Sequence, residues 1–205
     1  PKIGFKIPEV LTVEEIDRII SAVDMDKKEG QRNRAILETL YSCGLRVSEL
    51  CNLKLSDLYF EEGFIKVEGK GSKQRLVPIS PRAIKEIKYW LTDRNLGKIK
   101  KGYEDYVFLA RWGNNISRIM VFHMIKELAE KTGITKNISP HTFRHSFATH
   151  LLEGGANLRA IQCMLGHESI ATTEIYTHID RNMLRSEIIE HHPRNIKYRK
   201  ERGIY

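Results

Sequence analysis

Residues 58–79, LYFEEGFIKVEGKGSKQRLVPI, interrupt a chain whose hydrophobic residues otherwise recur at helical spacing. Apolar and polar residues alternate within this segment, and glycine-containing turns divide it, as in short strands joined by tight turns. The segment predicts three strands, at Leu58–Phe60, Phe64–Gly69 and Arg75–Ile79, with Lys70 in or beside the second turn. Since the rest of the chain is patterned for helices, the predicted fold class is α+β, mainly α-helical with a small three-stranded antiparallel sheet.

Local capping signals mark the helices on both sides of this segment. Thr12-Val-Glu-Glu15 forms a capping box, and serine followed by proline at 80–81 and 139–140 places a cap before the first helical position. Met120 and Leu152 are predicted to face inward on their helices. The predicted helices lie at about Thr12–Val23, 35–44, a short one starting at Arg46, one after Ser80, Ser117–Lys131, 139–153, Asn157–Leu165, 171–176 and Asp180–Pro193.

Composition limits the function classes. Of 205 residues, 34 are Lys or Arg and 26 are Asp or Glu, so the net charge is +8 and an anionic partner, most commonly nucleic acid, is favoured.

No apolar run approaches the length needed to cross a bilayer, which excludes a membrane protein. The three cysteines include no C-x-x-C pair, which argues against a disulfide framework or a zinc ribbon and favours a reducing cytosol.

One domain is the expected organisation for a chain of this length. The chain begins without a recognisable secretion signal, and residues 1–11 are interpreted as the remnant of a linker from a longer polypeptide. The folded domain is expected at 12–193. The basic stretch 194–205 is expected to be a mobile C-terminal tail.

The segment 141–150, HTFRHSFATH, places three of the eight histidines of the chain and an arginine within ten residues. His141 and His145 have the i, i+4 spacing of zinc ligands, but no glutamate follows His141 and Arg144 would place a positive charge beside the metal. For His145 and His150 the favoured interpretation is packing, with the ring nitrogens bonded to nearby polar groups. His141 and Arg144, at the start of a helix, favour a phosphate site because the helix N-terminus and a guanidinium both attract anions.

Four further polar residues are ambiguous when each is taken singly. Arg46 starts a helix, Lys70 lies in a glycine-flanked turn, and His167 follows a glycine stop, so each is also interpretable as a surface charge. Tyr176 is also interpretable as a half-buried core tyrosine.

Together, these positions fall within five ordered blocks: CGLRVSEL, VEGKGSKQRLVPI, SPHTFRHSFATHLL, LGHESIATTEIYTH and HHPR. The blocks resemble the tyrosine recombinase (phage integrase) family, at spacings typical of its Xer branch, and the resemblance extends from about residue 10 to 194. It implies the DNA breaking-rejoining catalytic fold over 12–193, preceded in the whole protein by an N-terminal DNA-binding domain.

The resemblance also implies a catalytic set, which is Arg46, Lys70, His141, Arg144, His167 and Tyr176. Tyr176 would be the nucleophile that forms a 3′-phosphotyrosyl bond, and Arg46 and Arg144 would clamp the scissile phosphate. Lys70 would protonate the leaving 5′-oxygen, while His141 and His167 would complete the pocket. By the same resemblance the reaction needs no cofactor, no metal and no ATP.

The implied partner is double-stranded DNA, bound by a homo- or hetero-tetramer on paired sites with an accessory regulatory protein, in the bacterial cytoplasm at the nucleoid. The last helix, with Met183, Leu184 and Ile188 as anchors, would pack on a neighbouring subunit. Chromosome dimer resolution, integration or excision of a mobile element, and DNA inversion all remain open as the biological role. The alternatives are a type IB topoisomerase-like nicking-closing enzyme, a catalytically silent DNA-binding module, and a metal-dependent phosphodiesterase using His141 and His145.

Overall fold

The computed structural model describes residues 9–166 and 181–195, and it confirms the predicted fold class. The described part is mainly helical, with one three-stranded antiparallel sheet of order β1-β2-β3. The helices are α1 Val13–Ser21, α2 Gly30–Cys43, α3 Val47–Cys51, α4 Pro81–Leu96, α5 Arg118–Thr132, α6 Pro140–Glu153, α7 Leu158–Leu165 and α8 Arg181–His191, and the strands are β1 Leu58–Tyr59, β2 Phe64–Glu68 and β3 Gln74–Pro78. Within these ranges, no helix has the length and apolar character to cross a membrane.

The helix starts follow the capping residues in the sequence. The Thr12 hydroxyl accepts from the Glu15 amide, and the Glu15 carboxylate accepts from the Thr12 amide, which completes the capping box of α1. The Ser80 hydroxyl accepts from the Ala83 amide at the start of α4. Glycine in the left-handed conformation ends α2 at Gly44, and α5 and α7 end in the same way.

The sheet places Lys70 at its exposed end. Strands β2 and β3 pair antiparallel from Phe64 opposite Pro78 to Glu68 opposite Gln74. The first two strands each end one residue earlier than predicted, and β3 has the predicted length but begins and ends one residue earlier. The connection is a short 3₁₀ turn, Lys70–Ser72, closed by a hydrogen bond from the Gly69 amide to the Lys73 carbonyl at 2.7 Å. Lys70 is exposed in this turn.

The core is built around α2, which is buried along most of its length and packs against α4 and α6. Phe143 and Phe147 of α6 are fully buried against it. Two predicted core positions were wrong, because Met120 is 38% exposed and Leu152 is 51% exposed. On α5 the inward position is taken by Val121 instead, one residue further along the helix.

Packing extends the domain beyond the predicted limits of 12–193 at both ends. Leu11 is fully buried, and its amide donates to the Ser146 hydroxyl at 3.0 Å. At the other end, Arg194 and Asn195 are each only 2% exposed, so the chain is packed as far as Asn195. The rest of the predicted tail, 196–205, lies outside the described residues, as do the predicted helix at 171–176 and residues 1–8.

The last described helix, α8, packs on β3 and α7 of its own chain. Leu184 and Ile188 are buried there, whereas Met183, the third predicted anchor, is 38% exposed. Beyond the helix, the Arg194 guanidinium donates to Glu38 at 2.8 Å and also pairs with Asp17 of α1. These ion pairs tie the end of the domain to its first two helices.

Burial of His192 makes the stability of the domain sensitive to acid. Its ring is fully buried, with Nδ1 accepting from the Arg194 amide and Nε2 donating to the Tyr41 carbonyl, both at 3.1 Å, so it is neutral. Burial lowers the pKa of His192 to about 3, from 6.5 for an exposed histidine. The stabilising contribution of the neutral ring is therefore complete above pH 6.5 and is lost as the pH falls from 6.5 toward about 3.

We expect His192→Gln to reduce the pH dependence of the unfolding free energy in this window, by up to about 1.4 kcal/mol per pH unit. Urea unfolding at a series of pH values measures the effect. His123→Gln, at an exposed position on α5, is the control for the effect of the substitution itself. Equal pH dependence in His192→Gln and wild type would contradict the prediction.

Candidate active site

Arg144, near the start of α6, joins the ends of two other helices. Its side chain is buried, at 7% exposure. Nη1 donates to the carbonyl of Gly44, the residue that ends α2, and Nη2 donates to the carbonyl of Leu165 at the end of α7, both at 2.7 Å. Two of the five guanidinium N–H groups are thereby fixed to backbone, which holds the plane of the group in one orientation.

Arg46 lies two residues after Gly44 and precedes the first turn of α3. Its backbone is extended, and its amide donates to Oε1 of Glu49 at 2.9 Å. Its side chain is 43% exposed, with Nη1 3.6 Å from Oε2 of Glu49. The two arginines predicted to contact phosphate thus both lie next to Gly44. The side chain of Arg144 is buried, and that of Arg46 is open to solvent.

Two charged residues of this site were missed from the sequence. Glu49 is 3% exposed and pairs with Arg75 of β3, whose Nη2 donates to Oε1 at 3.0 Å and whose Nη1 donates to Oε2. A signal for Arg75 was present, because it shares strand parity with the buried Val77, and a charge at an inward strand position needs a partner. Arg75 was overlooked because it directly follows Lys73 and Gln74, two polar residues that are exposed, and so resembles part of an exposed polar run.

The charges of this cluster alter one another's protonation. Burial lowers the pKa of Arg144 to about 10, and the positive charges of Arg46 and Arg75 act in the same direction. Burial alone would raise the pKa of Glu49, but hydrogen bonds and charge from Arg75, together with the Arg46 amide and charge, outweigh it and leave the pKa below its ordinary value. At neutral pH the cluster therefore contains three cationic guanidinium groups and one carboxylate, an excess of positive charge suited to an anion.

Of the four other predicted site residues, the structure describes two, His141 and Lys70. His141 is exposed at the first turn of α6. Lys70 is also exposed, but its turn touches the cluster, because a Cβ atom added at the adjacent Gly69 would lie 3.4 Å from the Glu49 carboxylate and 3.5 Å from Arg75. His167 and Tyr176 lie outside the described residues.

The histidines that were interpreted as packing residues differ from each other. His150 is buried, and its Nδ1 is 2.7 Å from the Tyr41 hydroxyl, so the packing interpretation of this residue is confirmed. His145 is half-buried. Over 9–166 and 181–195, no group of three or more His, Cys, Asp or Glu side chains is arranged to hold a metal ion.

Comparisons with known proteins give consistent similarities. The phage integrase family matches residues 9–183. The tyrosine recombinase XerD of Staphylococcus saprophyticus is 44% identical over 194 residues, which is 95% of this chain and 66% of the relative, and XerD of Chlorobaculum tepidum is 46% identical over 197 residues, 95% of this chain and 65% of the relative. The chain therefore spans about 66% of the length of these curated relatives.

Two solved structures are similar in fold. The crystal structure of XerA recombinase superposes with a TM-score of 0.72 at 35% identity, over 93% of this chain and 67% of that one. The XerH site-specific recombinase bound to its difH substrate, a pre-cleavage complex, superposes with a TM-score of 0.71 at 30% identity, over 85% of this chain and 51% of that one.

Proposed function

Because this chain belongs to the phage integrase family, we propose that it is the catalytic part of a site-specific DNA recombinase. The observation that carries the proposal is the arginine cluster, in which Arg144 is fixed by the Gly44 and Leu165 carbonyls beside the open guanidinium of Arg46. A phosphodiester presents paired oxygens that match such planar donors, and the charge that develops on them during transfer requires fixed cations. The proposed substrate is double-stranded DNA.

The proposed reaction uses six residues of the chain. The Tyr176 hydroxyl loses its proton to solvent and its oxygen attacks the scissile phosphorus, so that a bond forms between tyrosine and phosphorus while the bond to the 5′-oxygen breaks. The leaving oxygen takes a proton from Lys70, while Arg46 and Arg144 bind the non-bridging oxygens and His141 and His167 complete the pocket. A 5′-hydroxyl of a second strand then reverses the same steps, so neither ATP nor a metal ion enters the balance.

The partners follow from the same proposal. The similar XerH recombinase is bound to its difH substrate, which supports a DNA site as the partner here. The excess of Lys and Arg over Asp and Glu would act mainly on the DNA backbone, with strong salt dependence. A tetramer on paired sites, assisted by a regulatory protein in the bacterial cytoplasm at the nucleoid, is the proposed assembly. Dimer resolution, integration and inversion would use the same chemistry at different DNA sites.

Covalent trapping tests this function. The full-length protein is incubated in EDTA with nicked duplexes selected for binding from its own genome, and DNA-linked protein is sought on a denaturing gel. We expect an adduct with the wild type and none with Tyr176→Phe, because phenylalanine lacks the attacking oxygen, while DNA binding by Tyr176→Phe stays unchanged.

The other outcomes separate the competing activities. Cleavage that requires a divalent metal would contradict the proposal and favour a phosphodiesterase. DNA binding without an adduct across many selected sites would favour a silent binding module. An adduct that persists in Tyr176→Phe would assign the nucleophile to another residue.

A further inference from the structure

Arg75 is a charged residue of the described structure to which the proposed reaction gives no role, and all three of its guanidinium nitrogens are engaged. Its side chain is 7% exposed. Nη1 and Nη2 donate to the two oxygens of Glu49, and Nε donates to the carbonyl of Met164 at 2.9 Å. Three of its five N–H groups are engaged by protein acceptors, so Arg75 acts on the site through those neighbours.

The first neighbour is Glu49, which stands between two arginines. Its side chain is 2% exposed, so its charge requires a close cation. Arg75 supplies that cation through two hydrogen bonds, whereas Nη1 of Arg46 stays 3.6 Å away on an arginine whose side chain is 43% exposed. Because Glu49 is already neutralised, Arg46 keeps its charge and its donors for another anion.

The second neighbour is the end of α7. Arg75 donates to the Met164 carbonyl and Arg144 donates to the next carbonyl, that of Leu165, so two arginines hold the last turn of the helix. A Cβ atom added at Gly166 would lie 3.0 Å from Cδ of Arg75, so the Arg75 side chain packs closely on the residue that ends α7. His167 follows Gly166 directly, so the position at which the chain leaves α7 depends on these contacts.

We propose that Arg75 is a positioning residue for the phosphate site, which neutralises Glu49 and thereby keeps Arg46 available to the scissile phosphate. The inference rests on the proposed recombinase function. If Arg75 lost its charge, the buried Glu49 carboxylate would draw the nearby Arg46 into a tight pair, and the phosphate would lose one of its two clamps. Removal of the Glu49 charge would then release Arg46 again.

The decisive test is therefore a rescue. Single-turnover cleavage of the nicked duplex from the trapping experiment is measured for full-length wild type, Arg75→Gln, Glu49→Gln and the Arg75→Gln/Glu49→Gln double variant. We expect Arg75→Gln to lower the rate by about 100-fold, and the double variant to be at least about tenfold faster than Arg75→Gln. A merely structural role predicts the opposite, because two buried partners would be lost instead of one.

Arg94→Gln is the matched control. Arg94 is also buried, at 4% exposure, and donates to the backbone carbonyls of Tyr106 and Glu104, away from the phosphate site. It should lower the melting temperature without lowering the cleavage rate of the folded protein. A double variant no faster than Arg75→Gln, or an Arg75→Gln rate equal to that of wild type, would overturn the proposal.

Arg75→Lys covers the case in which Arg75→Gln does not fold. Lysine keeps the positive charge beside Glu49 but loses the planar fork, so cleavage within about tenfold of wild type is expected. A folded Arg75→Lys protein with a loss of about 100-fold or more would overturn the neutralising role. In the same series, a wild type that forms no adduct would mark failure of the recombinase function itself, and the proposal would fall with it.

Discussion

Arg144→Ala is expected to lower the single-turnover rate of DNA cleavage by about 100- to 1000-fold, because in the proposed reaction Arg144 is a fixed donor to the charge that develops on the phosphate. Arg144 is well suited to that role since its orientation is set by protein acceptors at Gly44 and Leu165 before any DNA arrives. A preorganised cation costs little reorganisation during the reaction. DNA affinity should fall much less, because many backbone contacts contribute to it.

Loss of fold is the confounding effect, since Arg144 also holds two carbonyls. Arg94→Ala serves as the comparison, because it removes bonds from a buried arginine to two other carbonyls, those of Tyr106 and Glu104. Both variants should unfold at lower temperature, and only Arg144→Ala should lose the cleavage rate. Arg144→Lys should also remain slow, because an ammonium group cannot reproduce the planar fork. Full activity in a folded Arg144→Ala protein would remove this residue from the phosphate site.

Gly44→Ala is expected to reduce the free energy of unfolding by roughly 3 kcal/mol. Gly44 has φ +65°, a conformation that L side chains rarely adopt, and an added Cβ would lie 2.3 Å from Cδ1 of Phe147. The Phe147 ring is fully buried, so a shift of the ring would have to displace the residues packed around it. Strain and overpacking therefore act at one position.

Gly133→Ala separates these two causes. Gly133 ends α5 with φ +70°, nearly the same conformation, but an added Cβ meets nothing within 4 Å. Gly133→Ala should reduce the free energy of unfolding by only about 1 kcal/mol, which is the strain of the left-handed backbone alone. Urea unfolding of both variants gives the comparison. If both variants lost the same free energy of unfolding, the Phe147 ring would be able to move aside easily, and the contact between Gly44 and Phe147 would not be tightly packed.

The sequence predicted best those features that depend on local interactions. The caps at Thr12 and Ser80 and the stop at Gly44 are each recognised within a few residues, because the bonded groups are neighbours along the chain. The strands of the sheet were predicted for the same reason, since their turns are short and contain glycine.

Features that depend on distant partners were not predicted. The pairing of Glu49 with Arg75 joins residues 26 positions apart, and nothing in either segment alone identifies the other. Arg194 lies in a basic stretch that is typical of an exposed tail, yet it is buried because Glu38, 156 positions away, accepts from it. A run of like charges in the sequence predicts that those side chains are exposed. The prediction fails when a residue of opposite charge, distant in the sequence, is brought next to one of them by the fold.

The dual attachment of Arg144 has an evolutionary consequence. Functional side chains are often a burden on the fold, so that replacing them gains stability and a protein must compromise between activity and robustness. At this position the compromise is absent, because the guanidinium that would bind phosphate also satisfies the carbonyls that end α2 and α7. In the proposed reaction, a substitution of Arg144 would therefore lower stability and activity together, so a change at this position would not produce a stable but inactive protein.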